Sequence, residues 1–444
     1  MPGATSETVA VMLAGGRGER AKPITLESAD YIRSKAVIPF LGRRLVEWVV
    51  ELCKDQGIRR FYVIAQGLEN RSQIKLLLGH GQRHGVEISY SRAGFDPYNV
   101  GSGSAFLHNL EQWKLTGRAL VLPVDSVLDF SLEELERTHQ ETAATVTVAT
   151  VGRTRREVAG KYGVLRTDPA GRVRGFAEKP SAQQLRTLFP GRGDEPLPTS
   201  AGMYLVDCDR LRRAARDPQL MRLAQQRLDW GGDLLPWLVE HDEPVAAHRI
   251  ARLGDLGNVP DYLAALRDVL SGAYRRLNRL MGPPTAGAAD CWIDESSLRT
   301  RDPVSGTTLT EKIADGRVKI GPGVHIGRHV EVGDDVSLEY ADIGDGVELG
   351  EGARLSGVAV GDYSLVGPHA ELSDSYIGPM AVIRSERGRP VRLESHTAIG
   401  DGVSLRPGSR LSGVSVYPRL RIPAHFHVPS GTWLTCSDDV LQWV

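Results

Sequence analysis

From Lys319 onward this chain keeps one period to its end. Aliphatic residues stand at Ile320, Ile326, Val332, Leu338, Ile343, Leu349, Leu355, Val360, Val366, Leu372, Ile377 and Ile383, and the series resumes at Ile399, Leu405, Leu411, Val416, Ile422 and Val428. Several precede glycine, as in Ile320-Gly321, Ile326-Gly327 and Ile343-Gly344. A hexapeptide period of this kind marks a parallel β-helix, whose triangular coil takes one inward aliphatic residue per side, with glycine easing the corner. The spacing drops to five at Leu338 to Ile343, Leu355 to Val360 and Leu372 to Ile377, so one side in three is shorter.

The first part of the chain reads differently. Strand-like apolar runs at 9–13, 60–65, 119–124 and 145–151 alternate with helical patterns up to about Leu266. That alternation predicts an α/β layer with a mostly parallel sheet, which binds ligands beyond the carboxyl ends of its strands. The expected organisation is an α/β domain over 1–266, a helix and linker over 267–318, and the β-helix over 319–444. Residues 281–318, rich in Gly, Pro, Thr and Asp, form the linker. Two domains also suit 444 residues, which exceed the usual single core.

The first strand breaks into Ala14-Gly15-Gly16-Arg17-Gly18-Glu19-Arg20, with Ser34-Lys35-Ala36 following. Glycines let backbone N–H groups approach a phosphate, and Arg20 and Lys35 would add positive charge. An ordinary glycine-rich turn with two solvated cations is the other reading of these residues. A P-loop is excluded, because Gly18 is followed by Glu19-Arg20 and not by Lys-Ser/Thr. A dinucleotide fingerprint fits poorly, with Ala21 at its third position and no acidic residue closing a second strand.

Composition narrows the partners. A net charge of −1 gives no electrostatic reason to expect nucleic acid or an anionic membrane. No run of about 18 apolar residues is present to span a bilayer, and the first apolar run lacks the basic leader of a signal peptide. Cys53, Cys208, Cys291 and Cys436 lack metal-type spacing and read as buried small hydrophobes of a reduced, cytoplasmic protein. Of the 54 basic side chains only nine are lysines, which draws attention to Lys35 and Lys179.

Gly15, Gly16, Gly18, Arg20, Pro23, Thr25 and Lys35 together resemble the signature of the nucleotide-sugar pyrophosphorylases, sugar-1-phosphate nucleotidyltransferases of the ADP-glucose and GDP-mannose type. The resemblance implies a Rossmann-like, GT-A-like nucleotidyltransferase domain followed by a left-handed parallel β-helix. It implies nucleotide binding by Leu13, Ala14, Gly15, Gly16, Gly18, Gly101 and Ser102. Arg20 and Lys35 would hold the departing pyrophosphate, and Asp125 and Asp255 would hold Mg²⁺. From the residues alone either aspartate could equally cap a turn or a helix. Lys161-Tyr162-Gly163 and Phe176-Ala177-Glu178-Lys179-Pro180 match the acceptor segments, so Glu178 takes hydroxyls and Lys179 the 1-phosphate, with Tyr162, Gly163, Ser200 and Gly202 beside them. A hairpin turn with a surface ion pair is the plainer reading of Glu178-Lys179. Trp230-Gly231-Gly232-Asp233-Leu234-Leu235-Pro236 resembles a further segment of the family, and its residues read as structural.

The resemblance implies that an NTP, GTP or ATP, reacts with a sugar- or cyclitol 1-phosphate. About five extra residues separate Thr25 from Lys35, Ala36 replaces the usual proline, and Val100-Gly101-Ser102-Gly103-Ser104-Ala105 replaces the usual nucleoside turn. These departures look similar to the nucleotidyltransferases that activate C7-cyclitol 1-phosphates such as valienol 1-phosphate with GTP in validamycin-type antibiotic pathways. ADP-glucose formation is the alternative, and an inactive regulatory or scaffold subunit a third reading. The repeat module also resembles hexapeptide acyltransferases, where His325, His329, His369 or His396 would be the base. Assembly of a homo-oligomer through the β-helix is the expected use of this module.

Overall fold

The apolar run Val9–Ala14 forms an interior strand of a nine-stranded sheet. The protein is described here by a computed structural model covering residues 7–16, 18–28, 31–92, 101–191, 195–285, 290–302 and 305–444. Arg17 of the glycine-rich segment, Ala29 and Asp30 of the Thr25 to Lys35 stretch, and part of the 281–318 segment lie outside these residues. Contacts gather the chain into two units, Met1–Gly16, Val49–Val124 and Leu128–Leu253 in the first, and Arg17–Trp48, Asp125–Val127 and Gly254–Val444 in the second. The grouping therefore does not follow chain order, since two early segments belong with the C-terminal stretch.

In the first unit, Val9–Ala14 pairs in parallel with Arg60–Ala65 and with Arg118–Pro123, and Arg60–Ala65 pairs in parallel with Glu87–Tyr90. Beyond Arg118–Pro123 the sheet turns antiparallel through Leu197–Asp207, which pairs with Val164–Thr167 and Val146–Arg153. Val164–Thr167 continues antiparallel to Val173–Ala177. The sheet is thus mixed: parallel pairing, as sequence alternation predicts, holds on one side of Leu197–Asp207 and again beyond it, where Val146–Arg153 pairs in parallel with Val245–Arg249. Val9, Val11, Val121, Val146, Val206 and Leu238 fill its core. Burial of such side chains stabilises the unit by roughly 1.5–3 kcal/mol each.

In the second unit the C-terminal strands are short and parallel. Partners lie 17 positions apart, Leu349 beside Val366 and Val366 beside Ile383, which is the sum of two sixes and a five. The step lengthens to 22 between Ile377 and Ile399, where the aliphatic series pauses. Pairing begins upstream of Lys319, with Cys291–Ile293 parallel to Val324–Ile326. The repeat aliphatics form one buried core, including Ile326, Leu349, Ile383 and Leu405.

Glycine serves a different purpose from the one periodicity suggested. A Cβ on Gly350 would stand 2.6 Å from the backbone nitrogen of Pro368 on the next rung, so many glycines after aliphatics are needed for close stacking. Left-handed backbone at φ 54–65° is taken at other positions, by glycines such as Gly346 and Gly402 and also by His329, Tyr363, His369, Met380 and His396. Cys53, Cys208 and Cys291 are buried as expected, whereas Cys436 is exposed ahead of the last helix. Among the described residues no helix is long and apolar enough to cross a membrane.

Candidate active site

Two adjacent parallel strands of the first unit end together, with Leu13 in register with Pro123. The chain leaving the first carries Ala14, Gly15 and Gly16, the two glycines exposed. Gly16 adopts φ 93°, with nothing within 4 Å of the position a Cβ would occupy. Such an open glycine leaves its backbone approachable by a ligand.

Three further strand ends form a row. Val164 faces both Ala177 and Thr199 across antiparallel ladders, which sets Gly163 between Glu178 and Ser200. The Ser200 amide donates to the Gly163 carbonyl at 2.8 Å. A Cβ on Gly163 would stand 2.7 Å from Glu178 Oε2, so this glycine makes room for the carboxylate. Lys179 follows in the left-handed region at φ 45°, its Nζ 3.4 Å from Glu178 Oε1 and its side chain 60% exposed. The capping box of Ser181 and Gln184 starts the next helix and fixes how the chain leaves this turn. Tyr162 lies under the Arg153 guanidinium at 4.4 Å. Gly202, at φ 68°, sits in a bulge, where Ala201, Gly202 and Met203 oppose Ala149 alone. Its amide donates to Ser200 Oγ at 3.2 Å. The structure therefore brings together every residue expected at the acceptor: Tyr162, Gly163, Glu178, Lys179, Ser200 and Gly202.

Gly101 and Ser102 start the helix Ser102–Gln112. Their surroundings are protein: Asp229 Oδ1 accepts the Ser102 amide at 3.0 Å, and a Cβ on Gly101 would stand 2.4 Å from the Leu228 carbonyl. Sequence reading left Leu228 and Asp229 without a role. The paired glycines at 231–232 were the available signal.

The second unit holds Gly18, Arg20, Lys35, Asp125 and Asp255. Gly18 (φ 68°) sits against Thr25, whose buried hydroxyl donates to the Gly18 carbonyl at 2.9 Å. Arg20 is exposed. Lys35 Nζ lies 3.0 Å from Asp125 Oδ2, with the two side chains 16% and 30% exposed. Asp255 accepts the Gly257 amide on Oδ1 at 2.9 Å.

Lys35 is bracketed by anchors distant in sequence. Two residues earlier, the buried Arg33 guanidinium pairs with buried Asp401 and donates to the Ile24 carbonyl at 2.7 Å. On the other side, Tyr262 donates to the Pro39 carbonyl at 2.9 Å, and the Leu41 amide donates to Asp342 Oδ2 at 2.9 Å. Asp342 Oδ1 accepts from His325 Nδ1 at 2.7 Å, so this histidine is engaged in holding the turn after Lys35. Arg33 lies in the lengthened stretch before Lys35, and its partner is 368 positions away.

Residues 9–272 match the nucleotidyl transferase family. The chain belongs to that family. It is 28% identical over 355 residues to a UTP–glucose-1-phosphate uridylyltransferase of Synechocystis sp., spanning 76% of this chain and 84% of that protein. To a glucose-1-phosphate adenylyltransferase of Rhodopseudomonas palustris it is 27% identical over 377 residues, with the same shares of 76% and 84%. A glucose-1-phosphate adenylyltransferase of Alteromonas mediterranea is 28% identical over 285 residues, 60% of this chain and 63% of that relative. For this nucleotidyl transferase, the matched region runs past Leu13 and Asp255 and so contains every residue the sequence offered for nucleotide, acceptor and metal, but not Asp342 or Asp401.

Proposed function

We propose that the protein transfers a nucleotidyl group from an NTP to a sugar-like 1-phosphate, releasing pyrophosphate. The observation that carries this reading is the row in which Gly163 separates Glu178 from Ser200, with Lys179 exposed beside it. An acceptor-phosphate oxygen bonds to the α-phosphorus as the bond from that phosphorus to the bridging oxygen breaks. Because the acceptor is already an anion, no general base is needed, and catalysis is positioning plus charge neutralisation. Lys179 holds the acceptor phosphate, and Glu178 accepts hydrogen bonds from acceptor hydroxyls, with Tyr162, Gly163, Ser200 and Gly202 framing the ring. Leu13, Ala14, Gly15, Gly16, Gly18, Gly101 and Ser102 bind the nucleotide. Arg20 and Lys35 steady the leaving pyrophosphate.

Asp125 and Asp255 are suited to Mg²⁺. Each offers only oxygen donors, which suits an ion that completes its shell with water and substrate phosphates. Bound there, Mg²⁺ would neutralise phosphate charge. Lys35, 3.0 Å from Asp125, balances that carboxylate and keeps its own ammonium oriented.

The preferred pair is GTP with a C7-cyclitol 1-phosphate such as valienol 1-phosphate, on the strength of the lengthened Thr25 to Lys35 stretch and the Gly101–Ser104 turn. Glucose 1-phosphate with ATP or UTP is a second reading, favoured by the names of the relatives. The parallel ladders with 17-residue rungs support a left-handed β-helix, which we assign to homo-oligomer assembly. Pyrophosphate release, measured with Mg²⁺ and every combination of the common NTPs with glucose, mannose and valienol 1-phosphates, tests these readings. GTP and valienol 1-phosphate are expected to react fastest. Better turnover of glucose 1-phosphate favours the second reading, and silence with all pairs, together with tight binding to an active paralogue, favours an inactive scaffold.

A further inference from the structure

The 17-residue rung of the second unit is interrupted after Ile383, which pairs with Leu405, 22 positions on. Most of the extra residues lie at 384–391, at one corner of the coil, because Leu372 already pairs with Leu393, 21 positions on. Glu386 and Arg389 close a tight turn there, the Arg389 amide donating to the Glu386 carbonyl at 2.9 Å, with Arg387 and Gly388 at its tip. The turn is pinned on both sides. The Gly408 amide of the next rung donates to the Arg389 carbonyl at 2.9 Å, and the Val391 amide donates to the buried Ser385 hydroxyl at 3.0 Å.

This corner gathers arginine. Residues 384–427 hold eight arginines and no lysine against three acids, in a chain whose net charge is −1. Two of those acids are already engaged: Asp401 is buried against Arg33, and Glu386 Oε2 accepts from Arg389 at 2.6 and 3.1 Å. Because Ile383 stands in register with Leu405, Arg384 lies over Arg406, and Arg392 is in register with Arg410. Neighbouring rungs are about 4.8 Å apart, and like charges directly opposite one another repel. Glu371 relieves Arg392 at 2.7 Å, whereas Arg384, Arg387, Arg406 and Arg410 are exposed and make no ion pair among the described residues. Four guanidinium groups thus crowd one corner with their charge unmet.

We infer that this corner docks an acidic segment of a partner protein, one with closely spaced Asp and Glu side chains. Arginine's planar fork takes a carboxylate two bonds at a time, and a turn that is already pinned loses little freedom on binding. A small anion calls for a concave site, and a coil corner is convex. Single-stranded nucleic acid stacks its bases on aromatic side chains, but the aromatic residues of 384–427, Tyr417 and Phe426, are half-buried and buried. An anionic membrane takes an apolar anchor, and no large apolar side chain of 384–427 is exposed. The attraction of a local cluster is screened beyond about 8 Å at physiological salt, which suits a short complementary segment. The inference does not rest on the transfer reading above.

The experiment is fluorescence anisotropy of a labelled poly-glutamate peptide titrated with the full chain. Saturable binding is expected, weakening as salt is added. Arg384→Gln combined with Arg406→Gln should raise the Kd about tenfold, and Arg387→Gln alone about threefold. Arg83→Gln combined with Arg137→Gln removes the same charge from exposed positions of the first unit and should leave the Kd within about twofold. The melting temperature of the Arg384→Gln, Arg406→Gln variant should not fall, since a like-charge pair is removed. Absent peptide binding overturns the inference, as do equal losses in the two double variants. A lower melting temperature in the Arg384→Gln, Arg406→Gln variant would assign these arginines to the fold and overturns it too. So does tighter binding of a single-stranded DNA oligonucleotide, of phosphatidylserine vesicles or of inorganic phosphate than of the peptide.

Discussion

The acceptor row and the Lys35 segment carry charge of the same kind but are built in opposite ways. The row is assembled by strand register within a short span of chain, and its cation, Lys179, is 60% exposed. Lys35 is only 16% exposed and is flanked by a buried ion pair and by backbone bonds to Asp342 and Tyr262. The Lys35 segment therefore depends on partners from the far end of the sequence, whereas the row at 163, 178 and 200 does not.

The comparison breaks most readily at the two aspartates proposed to hold Mg²⁺. Asp125→Ala should lower pyrophosphate release about a thousandfold or more, with little loss of folding stability. Near-normal turnover would remove Asp125 from the site.

Next in size is the buried pair. Asp401→Ala strands the Arg33 guanidinium and should destabilise the chain by about 3 kcal/mol in urea unfolding. Replacing both partners by leucine should restore most of that stability, yet leave the NTP KM raised, because Lys35 loses its bracket. A double variant with wild-type kinetics would show that the pair serves folding alone.

Acid separates the regions in another way. Burial pushes the first-unit His139, bonded to Thr147 Oγ1 at 2.8 Å, down to about 4 from its ordinary 6.5. The unfolded chain therefore takes up this proton first as pH falls. Stability is full above pH 6.5, declines between 6.5 and 4, and is lower by up to about 3 kcal/mol below that. His139→Gln should flatten that part of the curve, and an unchanged slope would assign the acid loss elsewhere.

The smallest effect belongs to the exposed cation. Lys179→Ala should leave the melting temperature unchanged within error while raising the acceptor KM about thirtyfold, roughly 2 kcal/mol. A shift in melting temperature with an unchanged KM would reduce Glu178-Lys179 to a surface ion pair.

The placement of these residues at strand ends was readable because each end is punctuated locally. Tyr162-Gly163, Glu178-Lys179-Pro180 and Ser200-Ala201-Gly202 all stand where a strand begins, stops or bulges. The 17-residue rung was also readable, from a five following two sixes. The turn at 229–233 was not, since its work is to accept bonds from Ser102, 127 positions earlier, and to leave space beside Glu178.

By itself, then, the sequence determined the α/β layer, the repeating rung, and the chemical identity of the cations and carboxylates that lie at strand ends, because these follow from short-range periodicity and local punctuation. Only the tertiary structure decided which of them stand in one row, that Lys35 faces Asp125, and that Arg33 is held by Asp401. Those depend on contacts between distant segments, whose pairing no local pattern encodes and which burial makes strong.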